Sequence, residues 1–198
     1  LDTDTQLPRE SAHQLVGTLA HPLNHARVNP RRNVVTEGYG ILQPGVSTTL
    51  EPIGQSSFAR LNSGMQGIDP YTQTVSDIYQ DLFHEGSYIG KGIYDIDAFT
   101  TTTHHRFSDN RILSHDLIEG CFARSGLVND IQIHESYPTC YGSDVQRRHR
   151  WMRGDWQIAT WALPLIRGKS NRYERNPLGL LSRWKILDNL RRSIMPCV

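Results

Sequence analysis

Cysteine is scarce in this chain: three residues among 198, at Cys121, Cys140 and Cys197. They are too few and too scattered for a disulfide framework, and none has metal-ligand spacing, so a reducing compartment is the expected setting. Long apolar runs are missing as well; no stretch of about 18 apolar residues exists to span a bilayer. The opening LDTDTQLPRE has no initiator Met and lacks the basic region and apolar run of a signal peptide. There is no internal repeat and no low-complexity tract. Charge of one sign is not in excess either, since the net charge is +1. What is present is one globular domain's worth of chain, 37% hydrophobic and 21% charged, long enough to bury a core.

The small net charge hides an uneven distribution. Basic residues gather in the last quarter, in QRRHRWMR, RGKSNRYER and SRWKILDNLRR, while carboxylates lie mainly before them. That asymmetry suits an anionic ligand or a membrane surface on the C-terminal side.

Hydrophobic spacing outlines the elements. Residues 10–21 place Ala12, Leu15, Val16 and Leu19 at helical intervals, and Pro22 and Pro30 end that run. GYGILQPGVSTTLEP reads as a strand and a turn-rich loop. Residues 74–86 predict a helix with Val75, Ile78, Tyr79 and Leu82 on one stripe. Residues 87–99 look β-rich, and the TTTTHH run at 100–105 looks like a surface connection. A helix is expected from 114 to about Gly126, then an alternating strand over 130–138. Residues 145–166 predict mostly helix, interrupted at Gly154. A polar linker and a last amphipathic helix close the chain. Interleaved helices and strands favour a layered α/β fold.

Three constellations carry chemistry. Asp2 and Asp4, if extended, project to one face and can converge on a divalent ion. Hard ions such as Mg²⁺ or Mn²⁺ take carboxylate oxygens and bring a substrate phosphate as a further ligand. The bland alternative is a polar tail. A second Asp-x-Asp, Asp95 and Asp97 in YDIDAF, needs no more than solvated carboxylates on the exposed face of a strand.

In SHDLIEG, Asp116 and Glu119 share a helix face. One of them can serve as general base towards a hydroxyl. The same spacing also makes a capping box, and the two roles are compatible. In QRRHRW, Arg147, Arg148 and Arg150 offer planar forks for phosphate, and Trp151 offers a flat face for a sugar ring or base. A solvated basic helix face is the alternative. Nucleic-acid binding by RRHRWMR would give salt-sensitive association with oligonucleotides, but an isoelectric point near 8.0 is modest for that role. No nucleic-acid partner is expected. Taken in order, an ion site, a base and an arginine clamp are the parts needed to transfer a sugar from a nucleotide donor.

The stretches DTDTQLPRE, LVGTLAHPLN, EGYGILQP, GIDPYTQTVSDIYQDLF, GKGIYDIDAF, NRILSHDLIEGCFARSGLV, RRHRWMRGDWQIA and LSRWKILDNLRRS closely resemble the glycosyltransferase domain of cyclic β-1,2-glucan synthases, large bacterial inner-membrane enzymes. The blocks are collinear over nearly the whole chain; segments 52–64 and TTTTHH are the least typical. The resemblance implies a Rossmann-like GT-A α/β fold, UDP-glucose as donor, Mg²⁺ or Mn²⁺ as cofactor, and inverting transfer to the 2-hydroxyl of a growing β-1,2-glucan. It implies Asp2 and Asp4 as the metal site, Asp116 as general base with Glu119 beside it, and Arg147, Arg150 and Trp151 as the Gln/Arg-x-x-Arg-Trp signature. Arg147 and Arg150 would then grip the diphosphate and Trp151 the acceptor. Gln146 sits one residue too early to lead that signature, and Asp95 and Asp97 lie away from the family's metal site.

On this resemblance, residues 1–168 are the C-terminal part of the domain, since the Asp-x-Asp of such folds follows the uridine-binding half. Residues 169–198 are a polar linker and an amphipathic helix. Its stripe of Leu180, Leu181, Trp184, Leu187, Leu190 and Ile194, ringed by Arg183, Lys185, Arg191 and Arg192, suits the cytoplasmic face of the inner membrane, although an ordinary helix packed on the sheet reads the same way. The alternative reading is a non-catalytic glucan- or metal-binding fragment, and the isolated chain is expected to be inactive.

Overall fold

The computed structural model describes residues 5–48, 56–62, 77–104, 106–107, 112, 116–136, 138–167 and 172–194. In chain order the elements are α1 (Ser11–Leu19), β1 (Arg27–Asn29), β2 (Val34–Glu37), β3 (Ile41–Thr48), α2 (Ser57–Asn62), α3 (Ile78–Phe83), β4 (Ile93–Tyr94), α4 (Ile96–Thr103), α5 (Asp116–Ala123), β5 (Ser125–Glu135), α6 (Tyr141–Gln157), a 3₁₀ turn (Ala159–Ala162), β6 (Leu165–Arg167), β7 (Tyr173–Arg175) and α7 (Leu180–Ile194). The fold is mixed α/β with small sheets, in line with the interleaving read from the sequence.

The central sheet has the order β4-β3-β5, with β3 parallel to β5 and antiparallel to β4. Strand β3 is buried from Ile41 through Val46, as expected of a middle strand covered on both faces. Pro44 lies inside it and has no N–H to give the ladder. The register breaks there: Pro44 pairs with Val128 but Gly45 with Gln132, so three residues of β5 bulge out. From Ile131, the last bulged residue, onward Ile131, Ile133 and Glu135 are buried while Gln132 is exposed, which is the alternation expected of that strand.

Helix α5 runs against the sheet and ends at Ala123, earlier than its apolar pattern suggests. Arg124 adopts a left-handed φ of 55° and turns the chain straight into β5. Ile118, Cys121 and Phe122 of α5 form the main core with Ile158, Ala162, Leu178, Ile186 and Leu190. Full burial of a side chain such as Ile118, Phe122 or Ile186 contributes about 1.5–3 kcal/mol each. Phe107, Phe122 and Trp161 add edge-on ring contacts at 5.5–6.1 Å.

Several local expectations are corrected. The 87–99 stretch forms only the two-residue strand β4 before Asp95 caps α4, its Oδ1 accepting from the Ala98 N–H at 2.8 Å. The threonine run is therefore helix, not connection. Thr102 and Thr103 fold their hydroxyls back onto the carbonyls of Ala98 and Phe99. Asp95 and Asp97 are a helix cap and a first-turn carboxylate rather than a solvated strand pair. Helix α3 starts at Ile78 under an Asp77 cap, and Ile78 and Leu82 face outward while Tyr79 is buried. Helix α6 passes unbroken through Gly154, which is buried on its packed side. Within the polar linker, β7 pairs with β6, and Asn176 and Leu178 anchor its end in the core.

Helix α7 uses both faces. Ser182, Lys185, Ile186, Asn189 and Leu190 are buried, whereas Leu180, Trp184, Leu187 and Ile194 remain exposed. Lys185, grouped above with the charges around the stripe, points inward instead. Among the described residues, no helix is long and apolar enough to cross a membrane.

Candidate active site

Asp116 opens α5, the helix that leads into β5. The 84–92 loop meets the first halves of β3 and β5: the Gly86 N–H donates to the Ser125 carbonyl at 2.8 Å and the Ile89 N–H to Gln43 Oε1 at 3.2 Å. Gly90 adopts a φ of +89°, and a Cβ there would stand 3.0 Å from the Asp116 Cγ and both carboxylate oxygens. Only glycine lets the backbone take this turn and this approach together. Gly92 is held as closely, since a Cβ would run into the Leu42 carbonyl.

Glu119, one turn along α5, is partly buried, and its carboxyl is pushed up to about 7 by desolvation first and by the Asp116 charge second. Tyr88 of the loop is buried against Gly120, and its hydroxyl is pushed up by burial, then by Asp116 and Glu119. The capping-box reading takes a correction in detail: Asp116 is already within α5 rather than ahead of it.

Lys91 follows Gly90 directly, and its ammonium forms an ion pair with Glu135, the last residue of β5. Lys91 is 9% exposed and Glu135 2%. The Thr5 hydroxyl lies 3.5 Å from the same carboxylate, and Gln6 bridges His134 through two backbone hydrogen bonds of 2.8 and 3.1 Å. Ser47 at the end of β3 meets the His134 ring at 2.5 Å. Asp2 and Asp4 themselves lie outside the described residues. Among the described residues there is no cluster of three or more His, Cys, Asp or Glu side chains able to hold a metal. A chain of contacts therefore leads from Asp116 through Gly90, Lys91 and Glu135 to Thr5, the residue after Asp4.

Helix α6 begins six residues after Glu135. Buried Asp144 in its first turn accepts from Arg147 at 2.9 Å and from Arg148 at 2.7 Å. The Arg147 guanidinium also lies 5.0 Å from the centre of the Trp151 ring, a cation–π contact that holds both groups. Arg150 is on the exposed side of the helix. The structure thus joins Arg147 to Trp151, but it ties Arg148, not Arg150, to the same aspartate. Lys91, Glu135 and Asp144 were missed from sequence. Glu135 could have been found by parity, since it continues the buried set of Ile131 and Ile133.

No family model matches the chain. Its likeness to a known protein is to one segment of a glucan synthase. The relative is the cyclic beta-(1,2)-glucan synthase NdvB of Rhizobium meliloti (strain 1021), 47% identical over 197 residues that make up 99% of this chain. The chain spans 7% of that relative's length. It is homologous to one segment of the synthase, as its motifs led us to expect.

Proposed function

We propose that this chain carries part of the catalytic apparatus of an inverting glucosyltransferase of GT-A type, which moves glucose from UDP-glucose to the 2-hydroxyl of a growing β-1,2-glucan. Asp116 accepts the proton of the acceptor hydroxyl. The hydroxyl oxygen attacks the glucosyl C1 from the face opposite the UDP oxygen, and the C1–O bond to UDP breaks. Arg147 and Arg150 take up charge on the departing diphosphate. Trp151 stacks the terminal acceptor glucose and so orients its hydroxyl. Asp2 and Asp4 form an oxygen-only donor pair that suits Mg²⁺ or Mn²⁺; the ion, when bound, supplies further neutralisation of diphosphate charge. The uridine pocket is assigned to the rest of the synthase. The exposed stripe of α7, with Arg183 and Arg191 nearby, rests on the cytoplasmic face of the inner membrane.

The observation that carries this reading is the contact path from Asp116 through Gly90, Lys91 and Glu135 to Thr5, which supports a base linked to the segment that follows Asp4. The test is a chimera in which these 198 residues replace the matching 197 of the Rhizobium synthase. It should form β-1,2-glucan from UDP-glucose, and Asp116→Asn should abolish transfer while donor binding is largely kept. Glucan elongation at the parental rate by purified Asp116→Asn would remove Asp116 from the base role. A second reading, glucan or metal binding without turnover, is favoured for the isolated chain by its 7% share of the relative. Glucan formation by the chimera separates the two, since a segment that only binds leaves the chimera without transfer.

A further inference from the structure

We infer that Lys91, through its ion pair with Glu135, is a positioning residue for the Asp116 carboxylate; the inference rests on the reading of Asp116 as base. The argument starts from what such a pair costs. Removing two charges from water is unfavourable, and an apolar pair of similar volume serves stability as well or better. A buried lysine needs a different explanation when it lies between two glycines that both touch other backbone or side-chain groups.

The loop supplies that explanation. Gly90 leaves no room for a Cβ beside the Asp116 carboxylate, Ile89 donates its N–H to Gln43 Oε1 at 3.2 Å, and Gly92 leaves none beside the Leu42 carbonyl. These contacts, with the β4–β3 pairing that follows at Ile93 and Tyr94, hold the loop to the first half of β3. The Lys91–Glu135 pair adds a tie to the far end of β5. It locks the residue after Gly90 to the last residue of β5, where Thr5 also meets Glu135. Asp116, the loop and the segment that follows Asp4 therefore share one anchor. An ammonium on a four-carbon stem suits this task, because it reaches from the loop to the strand end without bringing the two backbones together.

If Lys91 positions the base, its loss slows the chemical step and leaves donor affinity alone. The experiment uses the chimera described above, with UDP-glucose as donor. Lys91→Met should lower kcat by about 10²-fold, the scale of a misplacement near 1 Å, with KM for UDP-glucose within about threefold. Lys91→Arg, which keeps the pair, should recover most of the rate. Lys91→Met/Glu135→Gln removes the uncompensated carboxylate and guards against misfolding. It should purify like the parent and still be slow. Parental kcat in that double variant would overturn the inference, as would a loss confined to KM. These outcomes are distinct from failure of the base reading, in which the chimera works and Asp116→Asn elongates glucan normally.

Discussion

Lys185 and Lys91 grip opposite ends of the same loop, and both are buried. At the near end, Lys185 of α7 places its ammonium on the Glu85 carbonyl at 3.1 Å, the Glu85 carboxylate at 2.9 Å and the Gly86 carbonyl at 2.8 Å. Three donors meet three acceptors, two of them backbone. At the far end, Lys91 is committed to a carboxylate at the tip of a strand. The first arrangement satisfies a helix–loop junction inside the core, beside Cys121, whose thiol burial pushes up to about 12. The second ties the loop to the last residue of β5. One lysine therefore belongs to the account of stability and the other to the account of rate, although composition makes them identical.

The comparison breaks most visibly at Lys185. Lys185→Met should destabilise the chain by about 3–5 kcal/mol, the usual result of stranding a buried partner charge, measured as a fall in urea midpoint. Two carboxylates lose compensation, since Asp77, raised mainly by desolvation, is also held down by Lys185. A loss below about 1 kcal/mol would mean the junction holds without its ammonium.

Next in size is Glu119. Its folded carboxyl titrates near 7 against an ordinary 4.5, so the folded state keeps a proton that the unfolded chain gives up. Stability is full below about pH 4.5, declines as pH rises, and levels off once pH passes about 7. Glu119→Gln should remove that decline, gaining up to about 3 kcal/mol over the parent at pH 8 relative to pH 4.5. Equal pH slopes in urea melts of the two proteins would contradict the shift. The smallest effect belongs to the outer face of α7. Leu187→Ser should change stability by no more than about 0.5 kcal/mol while weakening sedimentation with vesicles containing phosphatidylglycerol. Unchanged sedimentation would free that face from the membrane.

Much of the scaffold was legible because period and burial agree. The alternation of β5 and the apolar residues of α5 needed only spacing. Legibility failed where a polar side chain did work that spacing does not encode. Asp95 converts a β-rich stretch into a capped helix by one hydrogen bond. Lys185 lies among the cations of an amphipathic helix and yet faces the core, because its partners are carbonyls a hundred residues earlier in the chain. Lys91 has the appearance of a surface residue between glycines until Glu135 is seen opposite it. In the site, the Arg147–Trp151 contact follows from helical spacing, but the choice of Arg148 over Arg150 as the Asp144 partner depends on side-chain direction. The order of the motifs was plain in the sequence; the loop beside Asp116 was not.

The break in pairing at Pro44 has a mechanical meaning. A strand with a single register can creep past its neighbour two residues at a time, whereas one with different registers on either side of a bulge must surrender both ladders at once. Three looped-out residues of β5 thus act as a detent against shear. The tip that carries Ser47, His134 and Glu135 is kept level with Gln6 by the same interruption that costs the sheet a hydrogen bond.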